Sequence, residues 1–180
     1  MMNPQLAETL GKLQASIYWL HDAEAFDELA QTASKIYQLL GYPECLSNQV
    51  GHHISAAYRI SDDAQIARFA GDPQQELDHY AEVHLQLAEA AKVLGLSSAI
   101  ANYQVQWWRL SRHKKIIAAL SYIRKQHHHL SDLGKAKLAY YSFQIGLGHN
   151  QRNLAKCEKY AIHYWNLLLH SKETIYPYLG

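Results

Sequence analysis

The sequence predicts an all-α fold of antiparallel helix hairpins stacked as a short array, and three observations predict it. Apolar residues recur at helical spacing along almost the whole chain. No stretch alternates apolar and polar residues as a half-buried strand does. The breaks between periodic stretches are short, and short links favour antiparallel neighbours.

Taken in order, Leu6, Leu10, Leu13, Ile17 and Leu20 share one face of a first helix, and Phe26, Leu29, Ala33, Ile36 and Leu40 one face of a second. Gly41 and Pro43 end the second helix, since glycine takes the left-handed position after a helix and proline cannot continue the turn. A weaker helix is expected around Val50, Ile54 and Ala57, and a short separate one near Ile66 and Phe69. Asp72-Pro73 is a start signal: a capping carboxylate, proline at the first helical position and Gln75 two residues further on. The helix it opens carries Leu77, Tyr80, His84, Leu87, Ala91 and Leu94 on its apolar stripe and stops at Gly95. Further helices are expected near 97–111, 113–128, 132–148 and 152–169. The organisation read from this is a single helical domain over 1–180: 1–71 without a repeat, 72–170 as hairpins, and 171–180 as a tail.

The stretch "NYQVQWWRLSRHKK" sets two tryptophans beside four cations. At helical spacing Ile100, Tyr103, Trp107 and Leu110 form one stripe, and Ala101, Val105 and Trp108 a second about 100° away. Two apolar stripes mean packing on two sides, so Trp107 and Trp108 are expected to face different neighbours rather than one ligand.

The hairpins invite a search for repeats. Leu96-Ser97 recurs as Leu130-Ser131, Ala118 is followed by Tyr122, and Ile145-Gly146 is followed by His149. Over roughly residues 75–170 this resembles a degenerate tetratricopeptide repeat, a helix hairpin. Ser142 stands where that family has tryptophan, and no proline closes either repeat. The resemblance implies a scaffold without catalytic activity whose surface holds a partner.

Apolar residues make up 48% of 180 and charged ones 18%, a composition that builds a core and excludes a disordered chain. Glu8 and Lys12 interrupt any N-terminal apolar segment, so no secretory signal is expected. No run approaches the roughly 18 apolar residues of a membrane span. Cys45 and Cys157 form no CxxC pair and suit a reducing compartment, so the expected location is the cytoplasm.

Charge is the least ordinary feature. Residues 1–89 hold four Lys and Arg against thirteen Asp and Glu, while residues 90–180 hold thirteen against three. The basic half concentrates Arg109, Arg112, Lys114, Lys115, Arg124 and Lys125, which are the expected partner-binding residues. The alternative is the acidic face of Asp22, Glu24, Asp27 and Glu28.

Motifs that carry chemistry are scarce. Glu76-x-x-His79 occurs once and reads as a solvated face, and no two histidines are spaced i,i+4, so no metal or other cofactor is expected. His127-His128-His129 points around its helix, and His84 reads as a hydrogen-bonded core histidine. "GLGHNQR" lacks the lysine of a phosphate loop and reads as a helix-end turn. No nucleophile arrangement is present, and no catalytic residue is expected. The function these readings favour is a cytoplasmic helical-repeat adaptor that binds a protein partner through charge. An immunity protein covering a cationic toxin nuclease with its acidic half comes next. A nucleic-acid-binding regulator using 109–125 ranks behind both, because the acidic helices would repel a long duplex.

Overall fold

The computed structural model describes residues 3–97, 132–171 and 174–177. Their helices run in the order α1 (Pro4–Asp22), α2 (Phe26–Leu39), α3 (Glu44–Phe69), α4 (Pro73–Val93), α5 (Asp132–Asn150) and α6 (Leu154–His170). Among the described residues there is no strand, and the fold is all-α as expected. The helices expected near 97–111 and 113–128 lie outside the described residues, and with them Trp107, Trp108 and the cations from Arg109 to Lys125.

The first five helices end in the same way. The residue after the last turn has a positive φ: Glu24 54°, Gly41 98°, Gly71 76°, Gly95 71° and Arg152 54°. In each case its N–H donates to the carbonyl three residues back, and the next N–H donates to the carbonyl five back, as Ala25 does to Leu20 at 2.9 Å. This pair of hydrogen bonds closes the helix by satisfying carbonyls that would otherwise be unpaired. After α1, α2, α3 and α5 the following helix starts within a few residues. Asp72 Oδ1 accepts from Gln75 N–H at 3.0 Å and Asn153 Oδ1 from Lys156 N–H at 2.9 Å, so the Asp72-Pro73 signal works as expected.

By its contacts the chain divides into two compact units. Of the described residues, 20–97 and 176–177 belong to one, and 3–19, 132–171 and 174–175 to the other. In the first unit, α3 packs against α2 on one side and α4 on the other. Small residues line the α2–α3 seam. A carbon added at Gly51 would sit 2.2 Å from the Ala30 carbonyl oxygen and 3.0 Å from Ser34 N. Ser55 Oγ donates to the Phe26 carbonyl at 2.7 Å, and Ser34 Oγ to Asn48 Oδ1 at 2.5 Å.

The seam corrects the reading of 44–69 as two helices. α3 is continuous, and its buried face carries Ser47, Gly51, Ser55, Ser61, Ala64 and Ala67 among larger residues, so apolar spacing is a weak guide there. Ile66 and Phe69, near which the short helix is expected, are 66% and 85% exposed. The stripe of α4 keeps Tyr80, Leu87, Ala91 and Leu94 buried as expected, but Glu76, Val83 and Ala90 join them, Leu77 is half-exposed and His84 only half-buried.

In the second unit α5 packs on α6, close to the expected 132–148 and 152–169. Residues 4–19 of α1 approach α6 closely: a carbon on Gly11 would lie 2.6 Å from Ile162 N. Trp165, Leu10, Ile145 and Cys157 are fully enclosed. The His149 ring lies 5.2 Å from that of Tyr18 and 5.1 Å, edge-on, from that of Trp19.

Two glycine substitutions separate seam from surface. Gly51→Ala should destabilise by about 1–3 kcal/mol or more, because the clash is with backbone. Gly146→Ala, inside α5 with nothing within 4 Å of the added carbon, should stabilise by roughly 0.5–1 kcal/mol. Urea midpoints of the two variants check this; a Gly51→Ala variant as stable as the wild type would mean the helices are further apart.

Candidate binding surface at the α1–α2 corner

Where α1 gives way to α2, the chain carries four carboxylates in seven positions. Asp22, Glu24, Asp27 and Glu28, the acidic face expected from the sequence, are all exposed. The six cations from Arg109 to Lys125 lie outside the described residues, so their placement is not part of this geometry.

The corner is tied down from beneath. His21, in the last turn of α1 and 6% exposed, lies with Nε2 at 2.8 Å from both carboxylate oxygens of Asp62 on α3. An ionised carboxylate only accepts, so Nε2 carries the proton and donates. The imidazole lies 4.9 Å from the Tyr58 ring and 6.3 Å from that of Phe26. The Arg59 guanidinium sits 4.7 Å above the Phe26 ring. His21 Nδ1 is enclosed and has no hydrogen-bond partner among the described residues. The sequence singled out the four outer carboxylates but not this pair, because His21 and Asp62 are joined by the fold and not by spacing.

Two features of the corner work against stability. Asp22 ends α1, where the helix dipole is negative and a carboxylate is disfavoured. Glu24 holds a left-handed φ of 54° at the position that glycine fills after α2, α3 and α4. A side chain there costs roughly 1–2 kcal/mol relative to relaxed backbone. Asp27 and Glu28, by contrast, fall in the first turn of α2, where the dipole favours them and where Ala25 supplies no side-chain cap. The arrangement can attract a cationic surface. It offers no chemistry of its own, since the one imidazole is closed in by Tyr58 and Asp62.

Other candidates resolve differently. Glu76, expected on a solvated face, is 8% exposed. His84, expected as a hydrogen-bonded core histidine, is half-buried, and its enclosed Nδ1 has no partner among the described residues. Among the described residues no group of three or more His, Cys, Asp and Glu side chains is placed to hold a metal ion. No described helix is long and apolar enough to cross a membrane. Cys45 is exposed, whereas burial, and secondarily the charge of Glu158, push the Cys157 thiol up to about 12.

Glu24→Gly should raise stability by about 1 kcal/mol, seen as a melting temperature a few degrees higher. A lower melting temperature would show that the cap is unstrained. For Cys157 the raised folded-state pKa means that the folded chain holds a proton the unfolded chain loses above its ordinary value of 9.0. Its contribution to stability is therefore complete below pH 9 and falls as pH rises towards 12. Replacing Cys157 with Ala should flatten that alkaline decline, and a thiol reagent at pH 8 should label Cys45 alone in the native protein. Set against known proteins, the chain has no match: no family model, no curated protein and no solved structure is significantly similar to it.

Proposed function

We propose that this chain is a helical adaptor without catalytic activity, and that it recognises a protein partner through charge at the α1–α2 corner. The single observation that carries the reading is Glu24. A carboxylate occupies a left-handed helix end where glycine stands at three comparable positions, and it is flanked by Asp22, Asp27 and Glu28. Charge kept at a strained position and against a helix dipole is what a binding surface selected for its sign would carry. A partner with a basic face fits, and complementary charge would speed encounter and set specificity. A toxin nuclease inhibited by an immunity protein is one such partner. The tetratricopeptide resemblance is in keeping with a scaffold role.

The test is a comparative pull-down from the source organism. Wild-type protein is set beside a variant with Asp22, Glu24, Asp27 and Glu28 replaced by lysine, and captured proteins are identified by mass spectrometry. The corner variant should keep its helical circular dichroism, because all four sites are exposed. It should lose the partner, or associate with it at least tenfold more slowly at low salt, where screening is weakest. A partner bound equally by this variant but lost by Arg112→Glu, Lys114→Glu, Lys115→Glu would sink the proposal in favour of the basic segment.

A further inference from the structure

The α5–α6 hairpin carries a ring cluster that the corner does not explain. Tyr140 and Tyr141 of α5 meet Tyr160 and His163 of α6. Tyr140 lies edge-on to Tyr141 at 5.4 Å and to Tyr160 at 6.3 Å between ring centroids, and Tyr141 is 5.9 Å from Tyr160. His163 stacks on Tyr141 at 5.5 Å with 24° between the planes. Such rings usually mark a core, but this cluster is at the surface: Tyr140 is 44% exposed and His163 is exposed. Apolar area of that kind left in water asks for an occupant.

The surrounding charge narrows the chemistry. Lys137 stands one turn before Tyr141, and Lys159 one turn before His163, and both are exposed. The Lys159 ammonium is 5.8 Å from the Tyr160 ring centre. After its first residue, Asp132, α5 has no carboxylate. Glu158, the one carboxylate of α6, is half-buried, whereas Lys159 beside it is exposed. The ligand is therefore anionic.

The ring geometry excludes a cage. A quaternary ammonium needs rings held apart around it, and these rings already touch one another. What they offer is outer faces. The stacked Tyr141–His163 pair can be extended by a flat group laid on the outside of His163, and the exposed Tyr140 ring adjoins Tyr141 at 5.4 Å. Edge-on contacts of Tyr140 with Tyr141 and Tyr160 hold the rings in place before any ligand arrives. A ligand that is flat, repeating and anionic meets these requirements together.

We infer that the α5–α6 hairpin binds single-stranded nucleic acid, with bases stacked on the His163–Tyr141 column and beside Tyr140, and phosphates met by Lys137 and Lys159. A duplex, whose bases face inward, cannot use the rings. The inference is independent of the α1–α2 corner, and the corner variant should bind oligonucleotide normally.

Fluorescence anisotropy of labelled dT12 and U12 with the full chain tests it. Binding should appear at 50 mM salt and weaken with added salt. Tyr140→Ala and His163→Ala should each weaken it about tenfold, while Tyr140→Phe, which keeps the ring, should leave it within about twofold. Lys137→Gln and Lys159→Gln should each reduce the slope of log affinity against log salt by about 0.7. A duplex of equal length should compete poorly. Comparison of dT12 with U12 separates DNA from RNA, and preference for either supports the inference. The idea is overturned if neither oligonucleotide binds, if ring removal has no effect in variants that keep their helical circular dichroism, or if poly-glutamate displaces dT12 as well as unlabelled dT12 does. The last result would make the site one for acidic peptides.

Discussion

At Gly51 the approach of α3 to α2 leaves no room for one additional carbon, and the arrangement of the unit built on residues 20–97 follows from it. Helices that approach so closely cannot be held apart by leucines. They must meet through Gly, Ala and Ser, and the hydroxyls that result need partners because they are enclosed. Ser55 finds the Phe26 carbonyl and Ser34 finds Asn48, so the seam is polar in composition and yet satisfied. With one side of α3 committed in this way, the bulkier side chains Tyr80, Val83 and Leu87 of α4 enter the core from the other helix. At its far end the same close packing brings Asp62 of α3 under the last turn of α1, where it holds His21.

That constraint also explains what the sequence could and could not show. Helix ends were legible where their chemistry is local. Gly41 and Gly95 act through their own backbone and Asp72-Pro73 through a side-chain cap three residues on, and the structure places helix boundaries at all three. Helix faces were less legible. The continuity of α3 was hidden because its buried face is made of residues that no hydrophobic pattern counts. The first turn of α4 was hidden because Glu76 points inwards and Leu77 outwards, an exchange that tertiary packing decides. Of the candidate surface, the four carboxylates were readable as a charge run. The His21–Asp62 pair was not, since it spans 41 positions, and neither was the ring cluster, whose members lie on two helices.

The five helix ends show how one motif can serve two purposes. The hydrogen bonds are the same at Glu24, Gly41, Gly71, Gly95 and Arg152, so the backbone alone does not demand a charged residue at any of them. Glycine does the structural work at three. At the other two a charged side chain is carried at some loss of stability, with Glu24 at the turn into α2 and Arg152 at the turn into α6. A strained residue is grounds for asking what its side chain does. The signs differ, negative at one turn and positive at the other.

Charge follows the units more closely than it follows the halves of the chain. Glu8 is acidic but belongs with the unit that holds α5 and α6, and there it pairs with Lys12 at 2.6 Å, while Glu158 lies near enough to act on the same ammonium. Glu8 is thus taken up by a lysine of its own helix, and Lys137 and Lys159 stand exposed beside the ring cluster. In the other unit Arg59 lies over the Phe26 ring, and Asp22, Glu24, Asp27 and Glu28 are exposed at their corner. Among the described residues, each unit has a minority charge with a local contact and several majority charges exposed. A near-neutral chain, with a net charge of +1, therefore presents two surfaces of opposite sign. Because each lies within its own unit, substitutions in one should leave the other's binding intact.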